Sequence, residues 1–279
     1  MNNGWMYYNH AIIPTTGPHE ECNINYIKNT SIWKFDGKFI LLARWTTDFD
    51  CKGETPWWYI VRDAPFIFDE LSSKNKKHIK QALKKCNVEI IDPVKNIKEL
   101  YSVYKSAFSK YKLSDNETSF SEFKEKCIKD KNDGLVYWGG FSLTENKLIG
   151  YIIIKLHDIY AECCVAKFHP DYLKYRISDA LYYSILDFYL NKQEYKYISS
   201  GTRSINHVTN TQEYKIQTFG YRKAYCKLHI KYNPIIGIIV SCLYPFRNII
   251  KQIDSNRTVH QIVSLLHMEE IARQSNKNE

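Results

Sequence analysis

The sequence predicts a mixed α/β (α+β) chain with a mostly antiparallel sheet flanked by helices. Residues 86–232 alternate β-branched runs with amphipathic segments in the order β-α-α-β-β-β-α-β-α-β, which is the main observation. The residues before this region are rich in strand patterns, and the residues after it have helical patterns. We therefore expect a strand-rich N-terminal subdomain (1–70), a central α/β domain (71–232) and a helical C-terminal tail (233–279).

The N-terminal subdomain shows one clear hairpin signal. Asp36-Gly37 lies between two apolar runs, Ile32–Phe35 and Phe39–Arg44, and this dipeptide favours a tight turn. Trp57–Arg62 is a further predicted strand. The segment Arg44–Cys51 is polar and aromatic, and we expect a loop that either lines a pocket or packs as an aromatic corner.

The central domain is expected to begin with a basic helix. Ser72 is a good N-cap, and Ile79, Ala82 and Leu83 give a narrow apolar stripe. The helix also carries six lysines: Lys74, Lys76, Lys77, Lys80, Lys84 and Lys85. These lysines form either an anion-docking face or an ordinary solvated helix surface.

Strand and helix signals then follow in a regular order. Val88–Ile91 predicts a strand, Ile97–Lys112 has helical periodicity, and Ser119–Glu122 matches a capping box that opens a second helix. The later predicted elements are the strands Leu135–Ser142, Leu148–Leu156 and Ile159–Phe168, the helix Ile177–Leu190, the strand Tyr195–Ser199, the helix Thr211–Thr218 and the strand Tyr221–Lys231. The first three of these strands predict an antiparallel meander.

The C-terminal tail combines an apolar segment with an amphipathic one. Ile235–Phe246 is largely apolar but shorter than the ~18 residues of a membrane-spanning helix, and an amphipathic helix is expected over Thr258–Gln274. The tail either docks on a membrane interface or a partner, or packs back on the sheet.

Composition limits the classes of protein. A net charge of +9 permits an anionic partner without requiring one. The first ten residues lack a secretory pattern, so the eight cysteines are expected to be reduced thiols in the cytoplasm, at most peripheral to the inner membrane face. No spacing of Cys and His matches a zinc site, so no metal is expected.

The element order over about 150 residues resembles the GNAT acyltransferase fold. Phe168-His169-Pro170-Asp171-Tyr172 resembles that family's strand-to-helix corner, and Thr218-Phe219-Gly220-Tyr221-Arg222 resembles its closing turn. The basic helix followed by Val88-Glu89-Ile90, together with Glu213-Tyr214-Lys215, is similar to the Fem-type peptidoglycan aminoacyltransferases. Arg44–Asp50 and Gly201–Tyr214 resemble Bacteroidetes proteins encoded among glycan-biosynthesis genes.

The resemblance implies a donor that carries an acyl group. In GNAT enzymes a glycine-rich loop holds the acyl-CoA pyrophosphate at a helix start. Here the corresponding stretch, 173–180, has no glycine, and Lys174, Arg176 and Ser178 are the side chains that can bind an anion instead. The donor is therefore acyl-CoA, an acyl carrier protein or, as in Fem-type enzymes, aminoacyl-tRNA. No permanently bound cofactor is expected.

The same resemblance places donor and acceptor beside the loop after the fifth strand. His207 is the candidate general base, and Arg203 is the candidate residue that binds a carboxylate or phosphate. Position in the fold also marks Glu162 as a second base and Tyr214 as an acid. The polar residues that complete the expected binding site are Ser204, Asn206, Asn210 and Gln212.

Three classes of function follow from these observations. The first is a GNAT-type acyl- or aminoacyltransferase that modifies an amine of a small molecule or of an amino sugar in a surface glycan. The second is a nucleic-acid-binding module that uses the lysine-rich helix. The third is a non-catalytic GNAT scaffold that docks a membrane or a protein through its C-terminal tail.

Overall fold

The structure is a computed structural model of the 279-residue chain, and it describes residues 4–28, 30–109, 117–205, 210–253 and 257–276. The chain folds into two compact units. We call Met1–Tyr59, Thr202–Thr209 and Lys223–Glu279 the terminal unit. We call Ile60–Gly201 and Asn210–Arg222 the central unit. The three-part division that the sequence suggests stays a prediction.

The terminal unit contains both ends of the described chain. Its strands are β1 (Trp5–Tyr8), β2 (Ala11–Pro14), β3 (Lys34–Phe35), β4 (Lys38–Phe39), β5 (Leu42–Thr47), the first half of β6 (Trp57–Arg62) and most of β12 (Arg222–Tyr232). β1 and β2 are antiparallel, β2 and β5 are parallel, and β5 and β12 are antiparallel. The first core of this unit lies around the fully buried Trp5 and Ile12.

Helices complete the terminal unit. They are α1 (Asn25–Lys28), a 3-10 turn (Thr30–Trp33), α7 (Pro234–Leu243), a 3-10 turn (Tyr244–Phe246), α8 (Arg247–Gln252) and α9 (Arg257–Ser275). α9 packs back on strands of its own unit, since Ile271 and Ala272 contact Trp57, Cys226 and Leu228. This contact matches one of the two alternatives that the tail sequence leaves open.

The central unit is built on five strands in the order β11-β10-β9-β8-β7. They are β7 (Cys86–Ile91), β8 (Val136–Ser142), β9 (Lys147–Leu156), β10 (Tyr160–Phe168) and β11 (Tyr197–Thr202). β7 to β10 are antiparallel neighbours, and β11 is parallel to β10. Buried and exposed residues do not alternate along β9, because helices cover both faces of this sheet.

Helices of the central unit pack on the two faces of its strands. They are α2 (Ser73–Leu83), α3 (Ile97–Phe108), α4 (Phe120–Asn132), α5 (Ile177–Leu186) with a π-helical extension (Asp187–Lys192), and α6 (Thr211–Phe219), with 3-10 turns at Phe68–Glu70 and Pro170–Tyr175. Leu100 and Val103 of α3 are fully buried against Tyr137, Tyr151 and neighbouring side chains. Truncating such a leucine to alanine typically costs about 2–5 kcal/mol of stability.

Glycines in the strands let α5 approach the sheet closely. A Cβ atom at Gly140 would lie 2.3 Å from the Cδ1 atom of Ile177, and one at Gly150 would lie 3.1 Å from the Cγ1 atom of Ile177. Ile177 is the first residue of α5. The two glycines therefore fix how deeply the start of α5 sits on β8 and β9.

The mixed α/β prediction and the meander are confirmed. Asp36 and Gly37 have φ angles of 47° and 75°, as the predicted tight turn requires, and the capping box joins Ser119 and Glu122 in both directions. The predicted helix Ile97–Lys112 is described as far as Phe108, and residues 110–116 lie outside the described residues.

Two local predictions are wrong. Residues Arg44–Thr47 belong to strand β5 instead of a loop, because β5 pairs with the distant β12 and Trp45 stacks on His229 at 5.3 Å. Leu83, predicted to face the core, has 38% of its surface exposed because it lies in the last turn of α2.

Replacing Gly220 with alanine tests the turn between α6 and β12. Gly220 has a φ of 65°, and an added Cβ would lie 2.6 Å from the Arg62 Nη1 atom, which donates to the Gly220 carbonyl. We expect Gly220→Ala to lower the free energy of unfolding by about 1–3 kcal/mol in chemical denaturation. Gly53→Ala is the control, since a Cβ there meets no atom within 4 Å. Equal effects of the two variants would contradict this account.

Candidate functional site

The candidate site lies where two parallel strands separate. β10 and β11 share three residue pairs, which end at Glu162–Ser199. Beyond this point β10 continues to Phe168, but it is paired with β9 alone. From 163 to 168, β10 therefore pairs with β9 and no longer with β11, and a gap between β10 and β11 opens at this point.

Cys163 and Ser200 are the first residues beyond the last β10–β11 pair. The β9–β10 register shifts between Cys163 and Val165, so a bulge lies at this point of β10. Burial raises the pKa of the Cys163 thiol, and nearby Lys215 and Ser200 oppose the rise. A thiol with a raised pKa is a poor nucleophile at neutral pH, so Cys163 shapes this site instead of attacking a substrate.

Lys215 brings a positive charge to the same point. It lies on the buried side of α6 with only 7% of its surface exposed, and its Nζ atom donates to Ser200 Oγ at 2.6 Å. The ammonium also lies 4.9 Å from the centre of the Tyr182 ring. Burial lowers the pKa of Lys215. Among the described residues, no carboxylate forms an ion pair with it.

Two phenol groups complete the cluster. Tyr182 and Tyr221 have 1% and 2% of their surface exposed, and burial raises the pKa of both. The Tyr221 hydroxyl approaches Ser200 without the geometry of a hydrogen bond. Within the described parts of the chain, both hydroxyl groups are buried without a partner. Such groups are costly to bury, and a bound molecule or water commonly satisfies them.

The cluster is rich in donors and poor in acceptors. Lys215, Ser200, Tyr182 and Tyr221 can all donate a hydrogen bond, and burial raises the pKa of each phenol so that it keeps its proton. A carbonyl oxygen, a carboxylate or a phosphate would supply the missing acceptor. In a low-dielectric site, such fixed donors stabilise an oxygen that gains negative charge during a reaction.

The start of α5 holds a carboxylate of its own. Asp179 has 3% of its surface exposed, accepts a hydrogen bond from the Tyr214 hydroxyl, and lies 3.6 Å from the Arg176 guanidinium. The Tyr214 hydroxyl also lies 3.2 Å from Ser178 Oγ. Burial, followed by the charge of Asp179, raises the pKa of Tyr214. An internal anion thus occupies the helix start that favours bound anions.

The predicted catalytic residues fall in different places. Glu162 ends the β10–β11 pairing, and its Oε2 atom lies 3.4 Å from His157 Nε2. The Tyr214 hydroxyl already donates a hydrogen bond to Asp179. His207 and Asn206 lie outside the described residues. The catalytic roles of these residues stay predictions.

Arg203 belongs to the terminal unit and makes structural contacts there. Its guanidinium donates to the carbonyl of Pro56 and lies 4.5 Å from the Trp58 ring, and burial lowers its pKa. The other predicted binding residues lie as follows: Ser204 is exposed, Asn210 precedes α6, Gln212 is half-buried on α6, Lys174 is exposed beside Tyr175, and Arg176 and Ser178 begin α5. Their role in binding also stays a prediction.

The sequence offered only a partial signal for the donor cluster. Lys215 shares a helix face with Thr218 and Phe219, both of which are buried. Lysines are rarely buried, so a lysine on such a face indicates a specific role. Tyr182 and Tyr221 gave no signal, since the chain has 22 tyrosines. Their unpartnered hydroxyl groups are visible only in the folded chain.

In the described ranges, no three His, Cys, Asp or Glu side chains lie together as metal ligands. All eight cysteines fall in those ranges and are free thiols.

Solved structures of similar fold identify the architecture as GNAT. The C-terminal DUF2156 domain of a protein designated lysylphosphatidylglycerol synthetase from Agrobacterium fabrum aligns with a TM-score of 0.54 and 9% identity, covering 85% of this chain and 83% of that one. L-PGS from Bacillus licheniformis aligns with a TM-score of 0.53 and 10% identity, over 94% and 84%. FemX aligns with a TM-score of 0.51 and 8% identity, over 72% and 75%.

These likenesses are structural. No protein-family model matches the sequence, and no curated protein matches it either. At 8–10% identity, the three structures share the fold with this chain.

Replacing Lys215 with methionine tests whether its buried charge opposes folding. The pKa of Lys215 lies below its usual 10.5 in the folded state, so the unfolded state binds more protons between the two pKa values. The free energy of unfolding of the natural chain should therefore increase as pH rises from the folded-state pKa of Lys215 toward the unfolded-state pKa. Lys215→Met should abolish this gain and leave the free energy of unfolding at neutral pH unchanged or up to about 3 kcal/mol higher.

Chemical denaturation at pH 7 and at about pH 9.5 measures this difference. Lys77→Met, on the exposed face of α2, is the matched control and should change stability by no more than about 0.5 kcal/mol at either pH. A Lys215→Met variant that is destabilised at pH 7 would show that the ammonium is a structural group.

Proposed function

We propose that this chain is an acyl- or aminoacyltransferase that transfers an acyl group to an amine. One observation carries the proposal: a buried lysine without a carboxylate partner among the described residues faces hydroxyl donors where β10 and β11 separate. The GNAT fold supports it, because the three similar structures include proteins designated as synthetases of an aminoacylated lipid.

The donor cluster suits one step of acyl transfer. When an amine nitrogen attacks the acyl carbon, a C–N bond forms and the carbonyl oxygen becomes an oxyanion. Lys215 and Ser200 would hold that oxygen, with the Tyr182 and Tyr221 hydroxyls as further donors. The bond from carbon to the donor oxygen or sulfur then breaks, the leaving group takes a proton, and the amine proton goes to a base. Glu162 and His207 are the proposed bases.

Among the donors, aminoacyl-tRNA fits the described residues better than acyl-CoA. A pyrophosphate at the start of α5 would meet the carboxylate of Asp179, and no glycine lies in 173–180 to admit it. The α2 helix presents an open groove whose lining includes Lys76, Lys77, Lys80 and Lys84 together with Asp69, and we propose that its lysines bind an anion. Lysines repeated at every turn of a helix complement the phosphates of a nucleic acid backbone.

The acceptor and the location follow from resemblance. We propose an amine of an amino sugar in a surface glycan as the acceptor, in keeping with the Bacteroidetes proteins that the sequence resembles. The reaction would take place in the cytoplasm or at the inner face of the membrane.

A donor panel tests the proposed reaction partners. We expect charged tRNA to raise the melting temperature, because a ligand at 100 times its Kd adds about 2.7 kcal/mol to folding stability. Acetyl-CoA, longer acyl-CoAs and an acylated carrier protein should give no shift. Lys76→Glu with Lys80→Glu should abolish the shift, and Lys124→Glu with Lys129→Glu on the exposed side of α4 is the matched control.

Other outcomes of the panel distinguish the alternatives. A shift with acyl-CoA alone would refute tRNA as donor and retain the acyltransferase. No shift with any donor would favour a non-catalytic scaffold. An equal shift with uncharged tRNA, without transfer to any amine, would favour a nucleic-acid-binding module.

Removing the Lys215 ammonium tests the proposed chemistry. With a donor that binds, Lys215→Met should lower kcat about 10²–10³-fold, since one oxyanion donor contributes that much. Lys215→Arg should restore part of the rate, and Ser200→Ala should lower it less than Lys215→Met. Transfer of a labelled acyl group to an amine acceptor, followed over time, gives the rates. An unchanged kcat in Lys215→Met would remove Lys215 from the reaction.

A further inference from the structure

An apolar stripe runs along the outer face of α7 and α8. We define the stripe as the exposed residues Ile235, Ile238, Ile239, Cys242, Phe246, Ile249 and Ile253. Successive members are one, three or four residues apart over the 19 residues that run from α7 through the 3-10 turn Tyr244–Phe246 to the residue after α8. This is the spacing by which a soluble helix normally buries one face, but here the face points outward.

The exposure of the stripe is large. Ile235 and Ile238 each have 67% of their surface exposed, Ile249 has 61% and Phe246 has 56%. The 19-residue segment Pro234–Gln252 is strongly apolar, and Val240 is its one buried hydrophobic residue in the structure. By length and composition this segment could cross a membrane, although its apolar run Ile235–Phe246 is shorter than a membrane-spanning helix. An apolar surface of this extent marks an interaction site.

Contacts on the opposite face hold the segment on its own unit. Val240 is buried, the Arg247 Nε atom lies 3.0 Å from Glu270 Oε1, and the Arg273 guanidinium lies 4.0 Å from the Tyr244 ring. A helix that crossed a bilayer would have to break these contacts and would leave the charge of Arg247 without its partner Glu270. The structure therefore favours a segment that lies along a surface.

The chemistry of the stripe favours lipid as the occupant. Residues 234–253 contain no Asp or Glu, and the exposed Lys251 lies at the same end as Phe246 and Ile249, whereas Arg247 is paired with Glu270. Five of the seven stripe residues are isoleucine, and none offers a carboxylate or amide for directional pairing with a protein. An aliphatic face beside basic residues complements acyl chains beneath anionic headgroups.

We propose that α7 and α8 bind the surface of a membrane that contains anionic phospholipid, with the stripe inserted at the boundary of headgroups and acyl chains. The segment lies parallel to the bilayer, and α9 holds it on the terminal unit. This binding site is separate from the donor cluster and does not depend on the proposed transfer reaction.

Vesicle flotation of the full chain tests the proposal. The chain should float with vesicles of phosphatidylcholine and phosphatidylglycerol, and more weakly with phosphatidylcholine alone. Ile238→Ser with Ile249→Ser should lower the partition coefficient more than about tenfold, because two exposed apolar side chains lose their burial in lipid. Lys251→Glu should weaken binding to the anionic vesicles alone.

Matched controls separate lipid binding from changes in folding. Ile24→Ser with Ile67→Ser removes two isoleucines that are 42% and 47% exposed elsewhere, and it should float like the natural chain. Equal melting temperatures would show that the stripe variant folds. Flotation that survives in the stripe variant, or no flotation of the natural chain, would overturn the proposal. So would a dimer in light scattering that the stripe variant disrupts, since a second copy would then cover the stripe.

Discussion

Strand β10 stays hydrogen-bonded to β9 as far as Phe168, while its pairing with β11 stops at Glu162. The two strands therefore separate beyond this pair, and side chains that follow it on β10 and β11 face the gap between them. Gly140 and Gly150 allow α5 to sit deeply on the neighbouring strands, and α6 carries Lys215 to Ser200 at the opening. The geometry of the candidate site thus derives from a backbone feature, and its chemistry from a few side chains.

The electrostatics of this region follow from burial. Lys215 sits in a poorly solvated place with hydroxyl groups around it, whereas Asp179 is neutralised by the Tyr214 hydroxyl and the Arg176 guanidinium. The carboxylate of Asp179 therefore has partners within the protein, whereas the ammonium of Lys215 lacks a counter-charge among the described residues. Buried charges without partners are costly, and they are commonly kept where a reaction needs them.

Sequence reasoning succeeded where local signals decide structure. The capping box at Ser119, the Asp36-Gly37 turn and the meander depend on neighbours within a few residues. It failed for Arg44–Thr47, because the partner of that strand is far along the chain. The donor cluster joins residues of α5, β11 and α6 with Tyr221, which lies between α6 and β12, so no spacing could reveal it. Likewise, composition showed that Ile235–Phe246 is largely apolar, but it could not show that this apolar surface faces outward.

The division of the chain also has a consequence for biosynthesis. β5 of the terminal unit pairs with β12, as in the pair Thr47–Lys227, so the partner is made about 180 residues later. At roughly 5–20 residues per second, a ribosome needs on the order of 10–40 seconds to make the intervening chain. During that interval the N-terminal strands, with Trp5 and Ile12, have no C-terminal partner strand. The nascent chain would therefore depend on chaperones more than a chain of consecutive domains does, and slower translation would prolong that dependence.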